Sequence, residues 1–90
     1  MKLVHCFGAG LVGSFVARKL AECGLTVSVY DMKPKNSMFE VYTNITVHIG
    51  DIFDYDLEAF DNEAIFVNML PGEVGHKLTR RLARVDGRQI

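Results

Sequence analysis

Ninety residues with a net charge of −1, 49% of them hydrophobic and 23% charged, describe one small globular domain at most. There is no basic field to hold nucleic acid or an anionic membrane surface, so neither is an expected partner. No apolar run approaches the roughly 18 residues that span a bilayer, and Met1 leads straight into a strand pattern rather than a signal peptide, so a soluble, cytoplasmic protein is expected.

Strand-like and helix-like segments alternate, with short polar joints, which is the pattern of a parallel α/β sheet. Leu3-Val4-His5-Cys6-Phe7 is a short apolar run ending at Gly8 and suits a strand buried on both faces. From Leu11 to Cys23 the period becomes helical. Val12, Phe15, Val16, Leu20 and Cys23 share the expected buried stripe, and Gly24 supplies the C-cap. Leu25 to Tyr30 is the second strand, ending at Asp31, and the Lys33-Pro34-Lys35 loop follows.

Ser37 and Glu40 stand at capping-box spacing and predict a short helix through about Thr43. Ile45 to Ile49 is the third strand, closed by Gly50-Asp51, and a second abbreviated helix is expected from Tyr55 to Phe60. Ala64 to Leu70 is the fourth strand and the most apolar segment. After Pro71-Gly72, the residues Val74, Leu78, Leu82 and Val85 recur at helical spacing, with Lys77, Arg80, Arg81 and Arg84 mostly on the wet side. Asp86-Gly87 stops that helix, and Arg88-Gln89-Ile90 begins a fifth strand. No internal repeat or linker divides the chain.

The first turn carries the chemistry. Gly8-Ala9-Gly10-Leu11-Val12-Gly13 is a Gly-x-Gly-x-x-Gly string between a strand and a helix, with a second strand next and Asp31 18 positions past its last glycine. The pattern alone is weak, but this context is the one a dinucleotide-binding unit requires. Gly8 permits the sharp turn, Gly10 lets the backbone approach a pyrophosphate, and Gly13 lets the helix pack closely on the strand. The helix N-terminus offers N–H groups and the positive end of its dipole to the phosphates. Asp31 accepts hydrogen bonds from the ribose 2′- and 3′-hydroxyls and repels a 2′-phosphate, which favours NAD. Lys33 and Lys35 keep NADP open, and the same fingerprint serves FAD, though usually with Glu at the strand end. Residues 1–90 thus read as a single, partial dinucleotide-binding domain: a Rossmann-type open parallel sheet of about four strands and a partial fifth, truncated, with helices on both faces.

Gly50-Asp51-Ile52 after the third strand, and Val67-Asn68-Met69-Leu70-Pro71-Gly72 with Gly75 and a basic helix, resemble the N-terminal domain of saccharopine dehydrogenase-like proteins over nearly the whole chain. The resemblance implies that Asp51 and Ile52, next to Met32, border the adenine. It places Asn68, Leu70 and Pro71 in the dinucleotide crevice, which strands one and four flank if the order is 3-2-1-4. It also implies NAD(P)-dependent oxidoreduction that needs a substrate domain beyond these residues, so that the chain is expected to be either a piece of a longer enzyme or a stand-alone remnant. The glycine string, the acidic end of strand two and Gly-Asp after strand three are also similar to the nucleotide-sensing domains of potassium-uptake regulators of the RCK type, which bind without chemistry.

Other polar residues have plainer readings. Cys6 and Cys23 are expected as reduced thiols, one in a strand and one packed at a helix end, with too few ligands at usable spacing for zinc. His5 and His48 lie on strands and read as hydrogen-bonded structural residues, while His76 near the crevice mouth is the better candidate for chemistry. No catalytic residue is assigned. Asp51, Asp54 and Asp56 read as a solvated capping loop rather than a calcium or other metal site. Phe39, Tyr42, Phe53, Phe60 and Phe66 read as core. An unpaired outer edge on the fourth strand would favour self-association, or covering by the last helix.

Overall fold

A computed structural model describes residues 3–33, 36–60, 64–84 and 88–89. Its strands are β1 (Leu3–Phe7), β2 (Thr26–Asp31), β3 (Ile45–Ile49), β4 (Ile65–Asn68) and β5 (Arg88–Gln89), and its α-helices are α1 (Leu11–Glu22) and α2 (Gly72–Leu82). The sheet is parallel throughout, in the order β3-β2-β1-β4-β5. β1 lies in the middle and is buried from Val4 to Phe7, as its unbroken apolar run requires. The expected endpoints Lys35, Val85, Asp86, Gly87 and Ile90 lie outside the described residues. Among those described, no helix is long and apolar enough to cross a membrane.

Alternation along the strands splits the core in two. Val4, Cys6, Val27, Val29 and Val67 face α1, joined by Ala17, Ala21 and Phe39. Phe7, Tyr30 and Phe66 face the opposite way, against Leu78 and Leu82 of α2 and Ile52 and Leu57 of the β3–β4 connection. Helices therefore cover both faces of the sheet. Fully burying Leu78 and Leu82 stabilises α2 by about 2 kcal/mol each. Phe39 and Phe66 are fully in the core, while Tyr42, Phe53 and Phe60 pack half-buried against it.

The buried face of α1 is not the expected stripe. Gly13, Ser14, Ala17 and Ala21 are the residues turned inward. Leu11, Val12 and Phe15 are 82%, 61% and 53% exposed, Val16 and Leu20 are only partly buried, and Cys23 is exposed. The reason is distance: a helix that must approach the sheet closely presents its smallest side chains to it, whatever the hydrophobic period suggests. Gly13 marks the closest approach, because a Cβ there would collide with the carbonyl oxygen of Gly8.

Both abbreviated helices are shorter still. Ser37 and Glu40 do not open an α-helix. Residues Asn36–Met38 form one 3-10 turn, after which Phe39 enters the core and Tyr42 N–H closes a turn on the Phe39 carbonyl at 3.0 Å. Tyr42 then donates to Glu22 at the end of α1 (2.7 Å). The segment is fixed by these long-range contacts, which override a local capping preference. In place of a helix at Tyr55–Phe60 there are two 3-10 turns, Ile52–Asp54 and Leu57–Ala59. Ile52 and Leu57 are buried and Tyr55 and Phe60 half-buried on the same cluster, a spacing that no single helical face satisfies.

The β1–α1 turn has a counterpart at β4–α2. Gly75 sits on α2 as Gly13 sits on α1: its Cβ would strike the Leu70 carbonyl oxygen, as that of Gly13 would strike Gly8. Beyond that close approach the two turns differ: Gly8 has positive φ and Gly10 is the N-cap of α1, whereas Pro71 is the N-cap of α2 and Gly72 after it has positive φ. β4 itself is shorter than its apolar run, and its outer edge is not bare, since β5 pairs with Ile65 and Phe66.

Candidate functional site

The carboxyl ends of β1, β2, β3 and β4 open on one edge of the sheet, and the turns leaving them gather the candidate residues. Gly8 leaves β1 with φ +101°, a conformation that strains any side chain. Its N–H bonds the Tyr30 carbonyl at 2.8 Å, and its missing Cβ would lie 3.1 Å from the Met69 backbone. Gly8 and Gly13 are therefore demanded by the fold itself.

Gly10 is different. It is the N-cap of α1 with φ −69° and ψ −167°, extended backbone open to any residue. A Cβ there would meet nothing within 4 Å. No side chain caps this helix end, and its first carbonyl bond is Ser14 N–H to Gly10 at 2.8 Å. The N–H groups of the first turn thus point at a cleft of about 250 Å³ lined by Ala9, Gly10, Leu11, Asp31, Lys33 and Met38, with the positive dipole end behind them. Ser14 is buried and donates to the Ala9 carbonyl (2.8 Å), which fixes the turn from beneath.

Asp31 faces this helix end across the cleft. Its Oδ2 accepts the Ala9 N–H at 2.7 Å and its Oδ1 the Lys33 N–H at 2.8 Å. Two of the roughly four lone-pair sites of the carboxylate are filled, so it is held in place and still accepts further hydrogen bonds.

A smaller, largely apolar cleft of about 50 Å³ adjoins it, lined by Tyr30, Asp31, Met32, Gly50, Asp51, Ile52, Leu70 and Val74. Met32, Asp51, Ile52 and Leu70 thus converge on one wall system. Asp51 also caps the following 3-10 turn, its Oδ1 accepting the Phe53 N–H at 3.0 Å. Tyr30, Gly50 and Val74 line this cleft without having been assigned to a site from the sequence, Gly50 having entered only as part of the Gly50-Asp51-Ile52 string. Gly50, in φ +139° directly after β3, is the one among them with a legible signal.

Leu11 and Val12 are exposed beside the turn. Pro71 is the exposed N-cap of α2. Asn68, the last residue of β4, donates from Nδ2 to the Gly75 carbonyl (2.8 Å) and to Thr79 Oγ1 (2.9 Å), while its Oδ1 accepts the Leu70 N–H (3.1 Å). The side chain clamps the end of β4 to α2.

Of the histidines, His5 is buried, its Nδ1 2.8 Å from the Tyr30 hydroxyl within an aromatic cluster that includes Phe60 at 4.4 Å. His48 stacks on Tyr30 at 4.5 Å. Both are structural by contact. His76 is exposed, 4.0 Å from Glu73 on its own helix. Burial pushes the Cys6 thiol up to about 11, which keeps it protonated and unreactive. Burial also raises the Tyr30 hydroxyl to about 12. Lys35 lies outside the described residues. No protein family, curated protein or solved structure matches this chain.

Proposed function

We propose that this chain binds NAD(H) at the β1–α1 turn and serves as the cofactor half of an oxidoreductase similar to the saccharopine dehydrogenase group. Gly10 carries the reading. The fold accounts for Gly8 and Gly13 by conformation and contact, but nothing among the described residues requires glycine at position 10. A side chain there would fill only the cleft in front of an uncapped helix N-terminus, the space a pyrophosphate needs.

In this reading the first-turn N–H groups of α1 hold the pyrophosphate, and Asp31 takes the ribose hydroxyls on its remaining lone pairs. Met32, Asp51 and Ile52 border the adenine. The carboxylate of Asp31 disfavours a 2′-phosphate, which places NAD ahead of NADP. The nicotinamide supplies the hydride chemistry, while the chain supplies seat and orientation.

Calorimetry with NAD+ and NADP+ tests this on the wild-type chain and on Asp31→Ala and Gly10→Ala. The expected result is saturable NAD+ binding, weaker NADP+ binding, and at least tenfold loss in each variant. No heat from either nucleotide at millimolar concentration sinks the proposal. Turnover of a dehydrogenase substrate by this chain alone would contradict its role as a cofactor half.

A further inference from the structure

We infer that the α2 side of the sheet is a dimer interface, on which a second copy of this chain lays its acidic β3–β4 connection over the basic strip of α2. The ground for it is how charge is divided between the two elements that cover that side. Nothing in it requires a bound nucleotide.

Residues 51–60 carry four carboxylates, Asp51, Asp54, Asp56 and Glu58, and no cation. Helix α2 and the two residues after it carry four cations, Lys77, Arg80, Arg81 and Arg84, against the single carboxylate of Glu73. The helix dipole favours a cation in the last turn, but a solvated helix face commonly offsets its cations with carboxylates one turn away. Helix α1 does so, with Lys19 3.5 Å from Glu22. On α2, Lys77 stands one turn beyond Glu73, the spacing of a helical ion pair, yet its Nζ lies over the Phe53 ring at 4.5 Å instead. Arg80 and Arg84 are exposed. Among the described residues, none of the three arginines has a carboxylate within 4.0 Å.

The contact of Lys77 with Phe53 fixes where the two charged strips meet. Phe53 precedes the exposed Asp54, and Val74, 51% exposed and one turn before Lys77, lines a cleft with Asp51 and Ile52. The acidic connection and the basic helix therefore lie side by side, with Phe53 and Val74 at the seam. Two adjacent strips of opposite sign are self-complementary about a two-fold axis along their seam, because that rotation exchanges them. A uniformly acidic partner would fit less well, since Asp54 beside the strip repels it. Exposed charge pairs contribute little singly, and the apolar seam gives the interface its centre.

Sedimentation equilibrium of the whole chain tests this. A dimer is expected at about 100 μM chain in about 50 mM salt, with a dissociation constant at least tenfold higher in about 500 mM salt. Arg80→Glu/Arg84→Glu and Asp54→Lys are each expected to weaken it at least tenfold at low salt. An equimolar mixture of the two should form a heterodimer within about threefold of the wild-type affinity, because the reversed strips again meet opposite charges. Arg18→Glu/Lys19→Glu makes the same change in net charge as the arginine pair, but on α1 across the sheet, and should dimerise as the wild type does. A wild-type monomer at low salt, a dimer indifferent to salt or to either reversal, or assembly beyond the dimer overturns the inference. So does failure of the mixed variants to pair, or equal loss of the dimer in Arg18→Glu/Lys19→Glu, which would make net charge alone the cause.

Discussion

Gly13 and Gly10 stand three residues apart on one turn, yet a methyl group added to each meets opposite surroundings. At Gly13 it meets the Gly8 carbonyl oxygen, which belongs to backbone and cannot yield. At Gly10 it meets open space. Gly13→Ala is therefore expected to lower stability by about 2 kcal/mol even after the helix propensity gained, read as a lower urea midpoint. Gly10→Ala should change stability by less than about 1 kcal/mol while weakening NAD+ at least tenfold. Equal destabilisation by both would mean that Gly10 is a folding residue after all. Asn68 makes a contrasting case, because truncation to Ala strips the partner from the Leu70 N–H and frees α2 from β4. A loss of about 2 kcal/mol is expected in thermal or urea unfolding.

Helix α1 shows how an element can be located correctly and faced wrongly. Its extent is set by the glycine turn before it and Gly24 after it, both local signals. Its orientation is set by the depth of the groove it fills. The spacing of Gly13, Ala17 and Ala21 was the available signal, and it is weaker than the apolar Val12-Phe15-Val16 pattern that competes with it. The faces can be told apart by mutation: Ala17→Leu overpacks a fully buried contact and should cost about 2 kcal/mol, whereas Phe15→Ala should cost less than about 1 kcal/mol. Chemical denaturation of the two variants checks this, and the reverse order would restore the apolar stripe. The connections on either side of β3 were illegible for a related reason. A capping box, or a segment of six residues such as 55–60, is too short to nucleate a helix unaided, so Phe39, Ile52 and Leu57 follow the core.

Across the whole molecule, the two ionisations raised by burial, those of Cys6 and Tyr30, act in the same direction on opposite faces of the sheet. Burial lifts Cys6 from an ordinary 9.0 to about 11 and Tyr30 from 10.0 to about 12. As pH rises past the ordinary values, the unfolded chain releases these protons first. The stability they carry is complete below pH 9 and is lost progressively up to about pH 12. A loss on the order of 2 kcal/mol from each group is expected, measured as a falling urea midpoint from pH 8.5 to 11. A midpoint flat across that range would contradict the burial of both. Thiol labelling of the native chain at pH 8 should modify the exposed Cys23 and spare Cys6 until unfolding.

The sequence by itself determined the strands, their parallel character and the turn at Gly8–Gly13. Those features rest on local periodicity, on glycine stereochemistry and on a spacing to Asp31 that survives any detail of packing. Only the tertiary structure decided the order of the strands, which face of α1 is buried, that Asn68 ties β4 to α2, and that Gly75 lies against the Leu70 carbonyl as Gly13 lies against that of Gly8. Each of these depends on how closely two elements distant in sequence approach each other. That distance is fixed by the volumes and hydrogen bonds of all the side chains between them, which no short window of sequence contains.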